Sequence, residues 1–496
     1  MDTDFQPVRT RMIRGTYFAL LGTIVSVVGN FTVSIILARL LGASGVGTYT
    51  LYAVLGAVLV PLISLSIPIA VTKFTAEMRE RNPRRLSTLL SSALIILLIV
   101  AGFGGIFVVL VVAPAAVSLY DQPELGPMLL ILGFTLLFNI VALFSSGVLQ
   151  GLEEFQTANL IGGFTVLSNV VLLASLVPGM GLVGAAAAAA LGVSLSAVTA
   201  SIAALLALRR RTIAWNWVFS WKAAQSLMAF AAPLNAASMV SRLSALLQNS
   251  VVALFISLVD LGHFRIAGVF FSAILFLPRT LLSPMLPILA NVNALRTPER
   301  RTEILTQLVK FSVLLVVPVA VLVLLSLSAA IRFLYGDEFL PAIPLAIALA
   351  LVGVTTFPTT ILGDHYLVAT GRTRAAFLVS LFSAGVSLVL LVPLVPAFRT
   401  MGLPLAALLT EAALLAILLG LLARRGEIHL QHLVPTLVFS MVALAVAVLL
   451  ALAPDPLPVM LAVPSSGGAA LFGYRWLLND DERALLTGSL RKMVPR

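Results

Sequence analysis

Arg81-Asn82-Pro83-Arg84-Arg85 lies between two long apolar runs. It returns as Arg296-Thr297-Pro298-Glu299-Arg300-Arg301, with the prolines 215 positions apart. Other pairs follow in the same order at nearly the same offset. Leu119-Tyr120 matches Leu334-Tyr335 at 215, Gly45 matches Gly262 at 217, and Gly151 matches Gly371 at 220. Met180-Gly181-Leu182 matches Met401-Gly402-Leu403 at 221, and Arg209-Arg210 matches Arg424-Arg425 at 215. Six ordered matches at nearly one spacing describe a chain that is duplicated. In a membrane protein, duplication is the usual mark of a transporter whose site lies between two halves.

Composition puts the chain in lipid. Of its 496 residues 60% are hydrophobic and 10% are charged, and the mean hydropathy is +1.10. Soluble domains carry about 25% charged residues, so an aqueous fold could not hide this much apolar surface. There are no cysteines, which excludes disulfides, thiolate metal sites and cysteine nucleophiles. Arg9, Arg11 and Arg14 precede an apolar run of roughly 25 residues, longer than the core of a signal peptide, so that run reads as a retained first span.

Runs able to cross a bilayer as helices, about 20 residues each, fall near 15–39, 47–72, 87–113, 127–149, 158–177, 182–208, 226–257, 264–290, 308–330, 341–363, 375–395, 401–423, 433–453 and 457–477. The predicted fold class is therefore an all-α membrane protein of about 14 transmembrane helices. With the N-terminus cytoplasmic, inside segments hold 25 of the 31 Lys and Arg residues, and outside loops hold only Arg39, Arg332 and Arg399. That asymmetry follows the positive-inside rule and places both termini in the cytoplasm. The formal charge of +11 is thus a cytoplasmic-leaflet signal, and nucleic acid is not an expected partner. The tryptophans Trp215, Trp217, Trp221 and Trp476 lie near the inner boundary.

Six spans per copy return the second copy to the side of the first, so the halves are expected to be parallel repeats. The predicted organisation is an N-lobe over 1–208 (spans 1–6), a cytoplasmic linker over 209–225, a C-lobe over 226–425 (spans 7–12), and 426–496 as two extra spans with a cytoplasmic tail.

No connection between spans is long enough to form a soluble catalytic domain. The chain has no P-loop, no Ser-His-Asp arrangement and no metal-ligand cluster, and its four histidines are scattered. An enzyme, a metal site and a cofactor are not expected. Attention falls on polar groups inside the apolar spans, where an ionisable residue costs about 2.5–3.5 kcal/mol. Span seven carries Asn235, Arg242 and Asn249 at intervals of seven, on one helical face. Span eight carries Arg265 and Arg279, span one Asn30 with Ser26 and Ser34, span ten Asp364 with Thr356 and Thr360, and span twelve Glu411. One reading makes Arg242, Arg279 and Arg265, with Asn235, Asn249 and Asn30, the binding groups for an anionic headgroup, because a guanidinium donates bidentate hydrogen bonds to phosphate. The other makes the arginines structural, neutralised by Asp364 or Glu411, which are equally candidates for ion coupling. Pro61 and Pro68 in span two, and Pro278, Pro284 and Pro287 in span eight, interrupt helices at corresponding places in the two copies.

The segment Ala38-Arg39-Leu40-Leu41-Gly42-Ala43-Ser44-Gly45-Val46-Gly47-Thr48-Tyr49 resembles the opening of the polysaccharide and O-antigen (Wzx-type) flippases. Leu149-Gln150-Gly151-Leu152-Glu153-Glu154-Phe155 and Leu334-Tyr335-Gly336-Asp337-Glu338-Phe339 fit the same pattern. That family shares the multidrug/oligosaccharidyl-lipid/polysaccharide (MOP) exporter superfamily with multidrug and toxic compound extrusion (MATE) transporters. The resemblance implies a MATE-like fold with two six-helix lobes around a cavity, and alternating access. It also implies a polyprenyl-phosphate- or pyrophosphate-linked oligosaccharide as cargo, with membrane lipids around it and cytoplasmic glycosyltransferases as neighbours. The expected location is a prokaryotic plasma membrane. A cation-coupled antiporter of organic cations is the alternative. It would need acidic groups in the cavity, where only Asp364 and Glu411 are available.

Overall fold

The computed structural model describes residues 6–232, 255–282, 298–367, 372–452 and 457–478, together with 235, 239, 247, 248 and 370. Within these, only the backbone is described for 6–24, 277–282, 298–301, 304, 364, 365, 373, 457, 476 and 477. The described residues are helical, with short turns, and form two compact units, Met1–Gly262 and His263–Arg496.

In the first unit, α1 (Gln6–Ser64) holds two predicted spans and breaks at Gly42, whose φ of 66° and ψ of −177° no helix accommodates. A break is required: its apolar stretch Val25–Ser64 is 40 residues long, about 60 Å as a helix against a bilayer core of about 30 Å. After a second break comes α2 (Ile67–Met78). Helix α3 (Pro83–Phe107) starts where the repeated Pro-Arg-Arg motif begins, its Asn82 side chain accepting from the Arg85 N–H at 3.2 Å. It runs through a π-helical turn (Val108–Val112) into α4 (Ala113–Tyr120). Helix α5 (Leu125–Gly151) is the hub, packed by α2, α3 and the long α6 (Phe155–Arg210).

The linker after α6 is extended and docked. Along one face of α3, Ser87 accepts from the Asn216 N–H at 3.0 Å, Ser92 accepts from the Ser220 N–H at 3.0 Å, and Ser91 donates to the Asn216 carbonyl. Trp215 packs edge-on against Phe144, while Trp217 and Trp221 stay exposed at 67% and 68%, as interfacial rings do. Helix α7 begins at 221.

Helix α8 (Leu258–Leu282) spans the division between the units. In the second unit, α9 (Pro298–Leu334) is the hub. It is followed by α10 (Ala342–Thr359), which continues as a π-helical turn (Thr360–Tyr366), then α11 (Thr373–Phe398) and α12 (Gly402–Arg424). The two spans without a counterpart in the first copy, α13 (Leu430–Ala451) and α14 (Leu457–Phe472), pack mainly on α9 rather than on each other.

The duplication is visible in backbone conformation, at a register that differs in places from the motif matches. Both α6 and the α11–α12 pair are helical hairpins. The first turns at Gly181 (φ 56°, ψ −132°) and the second at Arg399 (φ 51°, ψ −130°), a separation of 218. Three residues further on, Gly184 abuts the Leu176 carbonyl and Gly402 abuts the Leu394 carbonyl, again 218 apart and in the same geometry. The Met-Gly-Leu match at 221 therefore pairs the wrong glycines: Gly402 corresponds to Gly184, and the counterpart of Gly181 is an arginine. At the earlier turn, Gly47 rests on the Leu258 carbonyl and Gly262 on the Ala43 carbonyl, both contacts within the first unit. That reciprocity makes Gly47, at 215, the partner of Gly262. Gly45 instead faces Leu41 of its own helix. Gly371 lies outside the described residues.

Each unit carries an ionic clasp at the ends of its hairpin helices. Glu154 and Arg372, also 218 apart, cap α6 and α11 with the same dihedrals (φ −84°, ψ 50°). In the first unit Arg211 lies 3.6 Å from Glu154 and donates to the Leu152 carbonyl at 2.6 Å, beside an Arg79–Glu153 pair at 2.7 Å. In the second unit the polarity is reversed. Arg372 grips Glu427 through two bonds of 2.7 and 2.9 Å, and the buried Tyr366 hydroxyl donates to the same carboxylate at 2.6 Å. Burial works against the Glu427 charge, but the hydrogen bonds from Arg372 and Tyr366 outweigh it and hold the carboxyl below its usual range.

Candidate substrate-binding site

Between Pro61 and Pro68 span two is interrupted, as the prolines predicted. Pro61 lacks the N–H that a continuing helix needs. The chain then passes through two consecutive left-handed residues, Leu65 (φ 50°) and Ser66 (φ 56°), neither of them glycine. Such residues cost about 1–3 kcal/mol each and persist where the surroundings enforce them, often at ligand sites. Helix α2 restarts with the Ser66 carbonyl accepting from Ile69 and Ala70 at 3.1 and 3.4 Å. Irregular backbone within a bilayer is tolerated where protein or a water-filled cavity receives it. Asn235 of span seven lies against the break, its Oδ1 3.4 Å from the Ser66 hydroxyl.

A cavity of about 390 Å³ opens beside the break, lined by the stretch of α1 from Tyr49 to Pro61, by Thr135 and Asn139 of α5, and by Ala189 and Ala190 of α6. Nothing in the hydropathy of span two or span four singled out these residues. The only sequence signal was the small-residue content of the facing helices.

The remaining candidates are distributed as follows. Asn30 is exposed on α1 and donates to the Ser26 carbonyl one turn back at 2.8 Å. Arg265 is exposed on α8. The backbones of Arg279 and Asp364 are helical and π-helical, and their side chains lie outside what is described; Arg242 and Asn249 lie outside the described residues altogether. Of the proposed anion-binding set, the structure thus brings Asn235 to a feature of the fold. Glu411 of α12 is half-buried and lies 2.6 Å from the Thr359 hydroxyl, which also sits 2.8 Å from the Thr356 carbonyl. One hydroxyl proton serves one acceptor. An ionised Glu411 takes the Thr359 proton, whereas a protonated Glu411 donates to Thr359 and frees its proton for the carbonyl. The π-helical turn that starts at Thr360 adjoins this pair, and such turns recur at functional positions.

His263, unassigned by sequence, is buried, with its Nε2 2.9 Å from the Glu338 carbonyl and its ring edge-on to Phe339. It anchors the turn after α9. Among the described residues no group of His, Cys, Asp and Glu is arranged to hold a metal ion.

Residues 12–293, more than half of the chain, match the family model described as "Polysaccharide biosynthesis protein". No curated protein matches the chain in sequence. Among solved structures, one described as the lipid II flippase MurJ in an inward closed conformation aligns over 97% of this chain and 100% of its own, with a TM-score of 0.72 at 13% identity. An inward-facing MATE-family multidrug resistance transporter of the MOP superfamily aligns over 80% of this chain and 95% of its own, with a TM-score of 0.62 at 14% identity. The MATE multidrug transporter DinF-BH gives 0.58 at 16% identity, covering 86% of this chain and 97% of its own. Identities this low speak for the fold alone: the chain has the multi-pass, all-helical architecture of these transporters.

Proposed function

The chain belongs to the polysaccharide biosynthesis protein family, and from that premise we propose that it is a flippase carrying a lipid-linked oligosaccharide from the cytoplasmic to the outer leaflet. The observation that carries this reading is the interruption of span two at Leu65 and Ser66, with Asn235 drawn against it. Discontinuous helices at membrane depth are where transporters expose backbone and polar groups to cargo. Charge favours an anionic headgroup: Arg242, Arg265 and Arg279 lie within spans, against Asp364 and Glu411. A polyprenyl phosphate or pyrophosphate meets that requirement, and the fold shared with a lipid II flippase is consistent with it. Transport proceeds by rocking of spans 1–6 against spans 7–12, with 1–208 and 226–425 as the moving lobes. The basic inner segments orient the chain with both termini cytoplasmic in a prokaryotic plasma membrane, where glycosyltransferases would supply the cargo. The protein itself moves its substrate without altering it.

Replacing Arg242 or Arg279 with Gln should abolish rescue of a flippase-deficient strain at unchanged protein abundance. Rescue retained by both variants removes the arginines from the site. Liposomes containing the purified protein should translocate a fluorescent lipid-linked oligosaccharide, and a rate equal to that of empty liposomes would sink the flippase reading. The Glu411–Thr359 pair supports a second reading, a cation-coupled antiporter of organic cations. It predicts that expression confers drug resistance and that Glu411→Gln removes it.

A further inference from the structure

We propose that the cavity in the first unit is a carbohydrate subsite that receives one sugar ring of the cargo through Tyr52, Tyr49 and Asn139. This rests on the flippase reading and adds a site for the neutral part of the substrate, separate from any group that holds the phosphate.

The lining argues by elimination. It contains no charged side chain, so it supplies neither the cations a phosphate needs nor the carboxylates an organic cation needs. It is not simply apolar either. Tyr52 is only 6% exposed, lines the cavity, and its hydroxyl has no hydrogen-bond partner among the described residues. The hydroxyl oxygen is not sealed in protein, so it is available to donate to and accept from a ligand in the cavity it lines. Asn139 uses one amide N–H on the Thr135 carbonyl at 3.2 Å. Its other N–H and its carbonyl oxygen have no partner among the described residues. The single Thr135 hydroxyl proton is taken up within α5, where the carbonyls of Ile131 and Leu132 lie 2.9 and 3.0 Å away as alternative acceptors, leaving the oxygen an acceptor toward the cavity.

Shape agrees with this inventory. The rings of Tyr49 and Tyr52 lie 5.6 Å apart, tilted by 45°, and give the cavity an aromatic wall. A pyranose has an apolar C–H face that packs on aromatic carbon and a rim of hydroxyls that both donate and accept. Gly56, Ala53, Ala57, Ala189 and Ala190 hold the space open. At about 390 Å³ the volume lies at the small end of ligand pockets, about 300–1,000 Å³, suited to one ring rather than a chain. Pro61 closes one end, a turn before the helix break. A sugar seated here would adjoin the irregular backbone at Leu65 and Ser66.

The test is equilibrium binding to the purified full-length protein of four probes: citronellyl diphosphate, and citronellyl diphosphate bearing glucose, galactose or N-acetylglucosamine. Wild type should bind at least one sugar-bearing probe more tightly than the bare diphosphate. Tyr52→Phe and Asn139→Ala should each reduce that increment by about 2–10-fold, the worth of one neutral hydrogen bond, leaving affinity for the bare diphosphate unchanged. Gly56→Leu, which fills the cavity, should abolish the increment. Tyr52→Phe should unfold no earlier than wild type, because it removes a hydroxyl without a partner. An increment that survives all three substitutions overturns the subsite while leaving the flippase reading intact, as does equal binding of all four probes by wild type. Parallel loss of the bare diphosphate assigns the cavity to the lipid or phosphate portion and also overturns it. Binding of none of the probes counts against the flippase reading itself.

Discussion

The two hairpin turns offer a perturbation whose sign is opposite at equivalent positions. Gly181 and Arg399 hold the same conformation, near φ 50–56° and ψ −130°, which is accessible to glycine and strained for other residues. A Cβ added at Gly181 meets no atom within 4 Å, so Gly181→Ala changes backbone energy without steric conflict. The strain is about 1–3 kcal/mol, reduced by the roughly 0.4–1 kcal/mol that alanine gains by narrowing the unfolded ensemble. The net expectation is a destabilisation of about 1–2 kcal/mol. Arg399→Gly reverses the change. Its side chain is exposed and makes no ion pair among the described residues, so little else is lost, and the unit should gain about 1 kcal/mol. For a unit of this size the shifts correspond to about 2–4 °C of apparent Tm per kcal/mol. The assay is thermal unfolding of purified protein followed by tryptophan fluorescence, at one detergent concentration and scan rate. The reasoning fails if both variants move in the same direction, or if Gly181→Ala is neutral, because either result would mean that the two turns do not share the conformation that defines the repeat at 218.

Two further predictions concern packing and charge. Gly47→Ala and Gly262→Ala each drive a methyl group into a facing carbonyl, of Leu258 and Ala43 respectively, so each should lower the apparent Tm; an unchanged Tm in both would remove this contact as a tight backbone approach. In the second unit the folded Glu427 carboxyl is held below its usual range, so its stabilisation is present above the unfolded value of about 4.3 and is lost as pH falls through the folded value. Wild type should therefore lose more stability than Glu427→Gln on acidification below about pH 4, and Tyr366→Phe, which removes a hydroxyl bonded to a charged group, should cost about 1.5–3 kcal/mol; parallel pH profiles for wild type and Glu427→Gln would refute the clasp.

How much could be read from sequence depended on where the signal resides. Helices and turns were marked by residues whose effect is local. Pro83 and Pro298 begin helices because proline fits the first turn, and Pro61 and Pro68 flank a break because neither can continue a helix. The register of the duplication was harder. The offset is 215 at Gly47 and Gly262 and 218 at the hairpin turn, so residue identity misaligned what backbone geometry aligns. Arg399 occupies a glycine conformation, and no propensity argument finds an arginine there. The Tyr366–Glu427–Arg372 clasp joins residues 55 and 61 positions apart, and the Ser87 and Ser92 bonds to the linker span 129 and 128. Such pairings depend on which helices meet, and period and composition do not encode that.

The same comparison bears on where substrate is handled. The turns, caps and clasps are equivalent in the two units even where chemistry differs: Glu154 and Arg372 share a conformation while the clasp exchanges its charges. A scaffold that tolerates polarity reversal places little constraint on sign, so features found in one copy only need another cause. In the first unit the described residues include the left-handed pair at Leu65 and Ser66 and, in the α1–α5–α6 cavity, a tyrosine hydroxyl without a partner among them. The second alone supplies Glu411 against Thr359, and the intramembrane arginines lie in spans seven and eight of the second copy. Two of these are unfavourable for stability by themselves: backbone strain costs about 1–3 kcal/mol, and an ionisable group in a span costs about 2.5–3.5 kcal/mol. The spans of the first copy carry no acidic or basic residue beyond Arg39, so charge kept in the second copy against that cost fits the proposed cargo, which is itself asymmetric, with an anionic linkage at one end and neutral sugar rings at the other.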